Sequence, residues 1–231
     1  DPRCNPASMR VMRALGADVR VVSEKDANGG YLGGRIAHVR ELCASGDRYV
    51  WLNQYANRNN WLAHYRGTAP AIDRQFPDLE VLFVGAGTTG TLMGCARYFR
   101  ERGRPVTIVA VDAVGSVTFG GVPERRMVPG LGTSSKPALV DESLVDDVVH
   151  VAEPDTIRTV HALSARGFLF GGSTGTVVSG ACRWLDAKYP GEDPVAVAIA
   201  PDLGERYLDS IYDEGWLREH FGEELPDILD A

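Results

Sequence analysis

The stretch VLFVGAGTTGTLMG, residues 81–94, sets Gly85, Gly87 and Gly90 in GxGxxG spacing between an apolar run and a helical pattern. A strand that delivers glycines to a helix N-terminus points backbone N–H groups into the positive end of the helix dipole, which makes an anion site. Asp112 closes the next apolar run, VTIVAVD, 22 residues beyond Gly90. A nicotinamide enzyme keeps the acid that holds its ribose hydroxyls at that distance. The side chains lean another way. Thr88, Thr89 and Thr91 crowd three hydroxyls into four positions, which suits a terminal phosphate with three oxygens to satisfy. Spacing alone leaves a dinucleotide, a monophosphate and a plain strand-to-helix turn all open.

Three other segments carry polar chemistry. GGSTGTVVSG, residues 171–180, is a second glycine- and hydroxyl-rich turn entering a helix, which a simple dinucleotide domain does not require. Its Ser173 could meet a heteroaromatic ring nitrogen without forcing protonation, or could be an ordinary helix cap. NQYANRNNWLAHYRGTAPAI, residues 53–72, puts Gln54 and Tyr55 at a strand end among amides, as substrate-positioning groups or as an inter-lobe linker. His64 in that segment reads as a helix-surface residue. PDLGERYLDS, residues 201–210, follows a buried strand and would face a ligand lying over the C-terminal ends of the sheet. Arg125 and Arg126 could meet a phosphate or carboxylate, although most such pairs are solvated surface.

The elements that must position these groups alternate. Helices are expected at 7–15, 31–45, 62–76, 91–102, 154–166 and after the loop at 171–175. The helix at 31–45 follows a glycine-rich turn, NGGYLGG. Strands are expected at 18–22, 49–52, 80–84, 106–111, in DDVVHVA (146–152) and in VAVAIAP (195–201), the last of the kind buried inside a parallel sheet. Such alternation predicts an α/β fold with a parallel sheet covered by helices on both faces. The Asn-rich segment 53–60 is the expected crossing between two lobes.

Composition narrows the class. Of 231 residues, 44% are hydrophobic and 24% charged, ordinary for a globular chain. A net charge of −7 argues against nucleic acid, whose binding rests on neutralising phosphates. No apolar run approaches the roughly 20 residues that span a bilayer. Cys4, Cys43, Cys95 and Cys182 are spread without a CxxC pair, and the five histidines show no ligand spacing, so no metal site is expected. Free thiols in a reducing cytoplasm are the expectation. The chain opens without Met on DPRCNPASMRVMRALGADV, which reads as the middle of a fold.

Together MRVMRALGADVRVV, GAGTTGTLMG, VPGLGTS, GFLFGGSTGTVVSGA and GERYLDS resemble, in order and approximate spacing, the cysteine-synthase family of fold-type II pyridoxal-phosphate enzymes. The resemblance covers nearly the whole chain. It implies a two-lobed, tryptophan synthase β-like fold, with residues 1–57 the remainder of the smaller lobe and 58–231 the larger one. It further implies that Gly87, Thr88, Thr89, Gly90 and Thr91 bind the phosphate of pyridoxal 5'-phosphate and that Ser173 faces the pyridine nitrogen. Gln54, Tyr55 and Gly132, with Arg125 and Arg126, would then lie on the amino-acid substrate side. Asp112 becomes the acid that ends a core strand. A cytoplasmic homodimer is implied as well.

NQYANRNNWLAHYRGTAP, GTTGTLMGCARYFRERG and VDAVGSVTFGG are most similar to the branch making 2,3-diaminopropionate precursors. That branch eliminates phosphate from O-phospho-L-serine and adds the α-amino group of L-glutamate, for siderophore or peptide-antibiotic assembly. Cysteine synthase, using phosphoserine or acetylserine with sulfide, is the alternative within the class. A nicotinamide oxidoreductase and a catalytically dead scaffold are the alternatives outside it. The sequence departs from the family in three places. Thr89 stands where the phosphate loop usually has Gly, and Tyr55 where many members have an aromatic without a hydroxyl. The family's Schiff-base lysine lies upstream of the region matching residue 1, and none of Lys25, Lys136 and Lys188 stands in its motif. On that reading these 231 residues alone are inactive.

Overall fold

The computed structural model describes residues 2, 4–25 and 30–229. It forms two compact units, Asp1–Asn53 and Gln54–Ala231.

The first unit holds two helices, α1 (Pro6–Ala14) and α2 (Leu32–Ala44). Asn5 starts α1 by accepting from the backbone N–H groups of Ala7 at 2.8 Å and Ser8 at 3.2 Å, with Pro6 in the first turn, where its missing N–H goes unnoticed. Residues 28 and 29 of the glycine-rich turn before α2 lie outside the described residues. The strands expected at 18–22 and 49–52 are not formed. Both segments have strand-like composition, but a strand exists only through a ladder, and no described residue pairs with either.

The second unit runs through α3 (Arg58–Arg66), α4 (Thr68–Gln75), β1 (Val81–Gly85), α5 (Gly90–Glu101) and β2 (Thr107–Ala113). It continues through β3 (Asp147–Val151), α6 (Glu153–Ser164), α7 (Gly172–Lys188), β4 (Ala196–Ala198), α8 (Glu214–Phe221) and α9 (Pro226–Leu229). The helix expected at 62–76 is two helices. The first begins earlier because Asn57 accepts from Asn59 N–H at 3.0 Å, and the break falls at Gly67, the costliest helix residue after proline.

All strand pairs are parallel, in the order β3-β2-β1-β4, with Val81 opposite Thr107 and Val109 opposite Asp147. Alternation along β1 and β2 sends successive side chains to opposite faces. Leu82, Val84, Ile108 and Ala110 pack with Leu92, Met93 and Phe99 of α5 on one face. Val81, Phe83, Val109 and Val111 pack with Val177, Ala181 and Trp184 of α7 on the other. Phe83 and Trp184 meet edge to face at 5.5 Å, and the Trp184 indole donates to Asp147 at 2.8 Å. A third cluster, with Ile157, Val160, Tyr207, Ile211 and Leu217, fixes the C-terminal segments against α6. The apolar run at 195–201 was expected inside the sheet. It yields only a three-residue strand at the edge, partly exposed, with one neighbour among the described residues.

The consequence for function is geometric. The loop after β1 and the first turns of α5 and α7 open at the same, C-terminal end of the sheet, where ligands of parallel α/β folds bind. Asp112, the last residue but one of β2, is fully buried, its Oδ1 accepting from Ala113 N–H at 2.9 Å. Burial raises its pKa, with Ser116 opposing. A carboxylate so enclosed cannot hold a ribose, which removes the dinucleotide reading. The four cysteines are free, and burial lifts the Cys95 thiol to about 12, so it stays protonated. Among the described residues no helix is long and apolar enough to cross a membrane.

Candidate active site

A cleft of about 400 Å³ opens between the two hydroxyl-rich loops. Gly87, Thr88, Thr89, Gly90 and Thr91 line one side, Ser173 and Gly130 the other, with His64, Thr68, Leu131 and Pro201 completing it. The two loops lie about eighty residues apart in sequence. Two backbone bonds hold the near wall: Ala86 N–H donates to Val111 at 2.8 Å, and Gly132 N–H donates to Ala86 at 2.8 Å. The second bond pins the long connection after β2 onto the root of the glycine- and threonine-rich loop.

Thr89 is the most informative residue. It stands at the N-cap of α5 with φ 64° and ψ 8°, a left-handed conformation that is unusual for a β-branched side chain. Its hydroxyl is buried and has no protein partner among the described residues. A strained backbone joined to an orphaned donor at a helix N-terminus has the chemistry of an anion cradle. The donor set fits a phosphate: threonine hydroxyls, backbone N–H groups at the dipole's positive end, and no carboxylate among the lining residues. The residues present therefore fit the phosphate and ring nitrogen of pyridoxal 5'-phosphate. Replacing Thr89 with Gly is expected to raise the melting temperature of the cofactor-free protein, by releasing about 1–3 kcal/mol of backbone strain. The same change should weaken cofactor retention. Calorimetry paired with an absorbance titration checks both signs.

Helix α3 supplies groups that sequence reasoning passed over. Asn60 donates through Nδ2 to the Thr88 hydroxyl at 3.0 Å and to the Gln54 carbonyl at 2.7 Å. It packs so closely on Gly90 that a Cβ there would lie 2.0 Å from Asn60 Oδ1. His64, expected on the surface, is instead half-buried on the cleft. Its Nδ1 lies 2.9 Å from the Thr68 hydroxyl and its Nε2 3.3 Å from the Thr91 hydroxyl. Asn60 and His64 are four residues apart, hence on one helical face, and that spacing was the available signal. What it lacked was the partner: only the folded chain turns that face toward α5.

Burial holds the His64 pKa below the ordinary 6.5. A group whose folded pKa is depressed contributes stability above its unfolded value and loses it as pH falls through the folded one. The melting temperature should therefore fall on acidification from 6.5 downward, and a His64→Gln variant should show a flatter profile over that window. Parallel slopes for the two proteins would remove His64 as the titrating group.

The other expected site residues lie apart from the cleft lining. Gln54 is exposed and engages Asn60 through its carbonyl, while Tyr55 is half-buried. Gly132 is occupied by its bond to Ala86. Arg126 donates to the Gly115 carbonyl, and Arg125 is exposed. Glu153 accepts from Met127 N–H at 2.7 Å and Val128 N–H at 2.6 Å, holding the segment that follows the two arginines. Its pKa is raised by burial, which those two bonds oppose. Lys136 pairs with Glu142 and Lys188 with Asp147, and no lysine is among the residues lining the cleft.

Comparison with known proteins agrees with this geometry. The family model for pyridoxal-phosphate dependent enzymes matches residues 1–202. Proteins named N-(2-amino-2-carboxyethyl)-L-glutamate synthase from Ralstonia nicotianae and Cupriavidus metallidurans are 41% and 39% identical over 220 residues, 94% of this chain. The chain spans 64% of the length of each. Among solved structures, the O-acetylserine dependent cystathionine beta-synthase of Helicobacter pylori superposes with a TM-score of 0.79 at 27% identity, over 90% of this chain and 67% of that one. A hydrogen sulfide-producing enzyme of Fusobacterium nucleatum gives 0.80 at 27% identity, over 88% and 68%. The parallel sheet flanked by helices thus agrees with the family match: this chain belongs to the pyridoxal-phosphate dependent enzymes, with the fold of their fold-type II members.

Proposed function

We propose that the whole protein joins O-phospho-L-serine and L-glutamate by β-replacement, giving N-(2-amino-2-carboxyethyl)-L-glutamate and phosphate. The observation that carries the reading is the opening of both hydroxyl-rich loops onto one cleft, Thr88–Thr91 on one side and Ser173 on the other. The relatives named for this product, at 41% and 39% identity, favour glutamate over sulfide as the second substrate. The solved structures named for other activities stand at 27%.

Pyridoxal phosphate, when bound, supplies the electron sink that lets a β-leaving group depart from an amino acid. This chain's residues do the rest of what is assigned here. Thr88, Thr89 and Thr91 donate hydroxyl hydrogen bonds to the phosphate, beside the backbone of Gly87 and Gly90. His64, neutral by burial, holds Thr91 in place. The Ser173 hydroxyl meets the ring nitrogen as a neutral group. Gln54, Tyr55 and Gly132 are assigned to the amino-acid side, with the Tyr55 hydroxyl biasing the second substrate. Arg125 and Arg126 are assigned to the phosphate that leaves. The Schiff-base lysine is assigned to a part of the protein outside these 231 residues. Residues 1–57 are assigned to the smaller lobe and 58–231 to the larger one, in a homodimer, with a siderophore or peptide antibiotic downstream.

The test is product analysis on the whole protein. Phosphate release from O-phospho-L-serine, with a coupled product of the expected mass formed from L-glutamate, supports the reading. Cysteine formed with sulfide, and no product with glutamate, replaces it with cysteine synthase. Coupling undiminished in Tyr55→Phe removes the role given to that hydroxyl.

A further inference from the structure

We propose that Asp202 is a positioning residue for Ser173, acting both through the first turn of α7 and through Tyr207. The inference rests on the cleft being the cofactor site. Helix α7 begins after Gly171, which has no side chain to cap its free N–H groups. The cap comes instead from the segment beyond β4. Asp202 Oδ2 accepts from Ser173 N–H at 3.1 Å, and Oδ1 accepts from Thr174 N–H and from the Thr174 hydroxyl, both at 2.8 Å. The Asp202 carbonyl accepts from Gly171 N–H at 3.1 Å and lies 2.9 Å from the Thr174 hydroxyl, which shares its one proton between that oxygen and Oδ1. The turn that carries Ser173 is thereby fastened to a carboxylate about thirty residues away in sequence.

The same carboxylate orders a hydroxyl chain. Tyr207, buried in the third cluster, donates to Asp202 Oδ2 at 2.6 Å. A phenol has one proton to give, and Asp202 at 2.6 Å takes it in preference to the Pro129 carbonyl at 3.4 Å, so only lone pairs remain toward Ser173. The two hydroxyl oxygens lie on one side of Gly130, where an added Cβ would be 2.1 Å from that of Ser173 and 3.7 Å from that of Tyr207. The Ser173 proton therefore has two acceptors: Tyr207, or an aromatic nitrogen in the cleft. The Asp202 charge is offset by its donors and by the helix N-terminus, so it orients Ser173 without acting as a base toward the ring.

A purely structural cap would change stability alone, and Tyr207→Phe separates the two roles because it leaves every Asp202–α7 bond in place. The experiment uses the whole protein with pyridoxal 5'-phosphate. Cofactor dissociation constants and the pH profile of the cofactor absorption band are measured for the parent, Tyr207→Phe, Ser173→Ala and the double variant. Tyr207→Phe is expected to shift the pH profile and weaken binding several-fold, while the cofactor-free melting temperature stays near the parent's. The effects should be non-additive with Ser173→Ala, since both changes break one chain. Asp202→Asn should weaken binding by about tenfold and also lower the melting temperature. If it fails to fold, the Tyr207 and Ser173 cycle decides alone. A parent that binds cofactor, with additive effects or an unmoved pH profile in Tyr207→Phe, overturns this inference and leaves the proposed function standing. A parent that binds no cofactor overturns both.

Discussion

Gly130→Ala is expected to lower the melting temperature and to weaken cofactor binding. Gly130 has φ 120°, a conformation that L side chains rarely adopt, and it lines the cleft opposite the threonine-rich loop. A Cβ built there would lie 2.1 Å from the Ser173 hydroxyl oxygen and 3.7 Å from that of Tyr207. Two penalties combine. The backbone strain is on the order of 1–3 kcal/mol, and Ser173 must also leave the direction in which it faces the cleft. Turning Ser173 away would forfeit the polar contact proposed between it and the ring, about 1 kcal/mol. The backbone strain is present with and without cofactor and so lowers the melting temperature, whereas the lost contact predicts a loss of cofactor affinity of about fivefold. Retained absorbance after gel filtration, with a melting curve, reads the effect. Removing the clashing atom as well, in Gly130→Ala with Ser173→Ala, should recover part of the melting temperature and none of the affinity. Parent-like retention in Gly130→Ala would mean that the cofactor ring does not lie against this wall.

Gly94→Ala should damage the fold itself. An added Cβ would meet the Trp61 carbonyl oxygen at 2.4 Å, the His64 Cβ at 2.6 Å and the Tyr65 backbone nitrogen at 2.8 Å. Two of these are backbone atoms, so no rotamer change relieves the overlap, and α3 must move off α5. Overpacking of this kind costs about 3 kcal/mol at the upper end of its usual range. For a chain of this size the melting temperature should drop by roughly 10 °C. The damage should reach the cleft, because α3 carries Asn60 and His64, which hold the Thr88 and Thr91 hydroxyls. Calorimetry and cofactor titration on one preparation test the coupling. A stable variant with weak binding, or a destabilised one with parent affinity, would show that the α3–α5 contact and the phosphate cradle are independent.

What could be read in advance follows from the range of each interaction. The segments from Val81 to Lys188 were legible because their signals are local. Apolar runs of strand length alternate with helical patterns, Gly103 follows the end of α5, and Pro154 sits in the first turn of α6. Both hydroxyl-rich loops were legible for the same reason, since glycine and threonine at a strand-to-helix turn are a local arrangement. The segments at 18–22 and 49–52 have equally good local patterns and formed no strand. A ladder is a property of two segments, and local composition cannot supply the second.

The same limit explains the polar residues that were missed. His64 and Asn60 carry no signal beyond a four-residue spacing, and their role depends on α3 packing against Gly90 and Gly94. The Asp202 cap joins residues about thirty apart, across β4 and two turns. Asp112 met the spacing of a ribose-binding acid, the resemblance placed it at the end of a core strand, and its complete burial agrees with the latter. The sequence by itself determined the α/β class, the two loops that bracket the cleft and, through resemblance, the cofactor family. The tertiary structure decided that both loops share one cleft, and that Thr89 is strained with its hydroxyl unpartnered. It also decided which distant side chains hold Ser173 and the threonines in place. Backbone propensity and apolar periodicity act over a few residues, whereas burial, capping at a distance and orphaned donors arise only when separate segments come into contact.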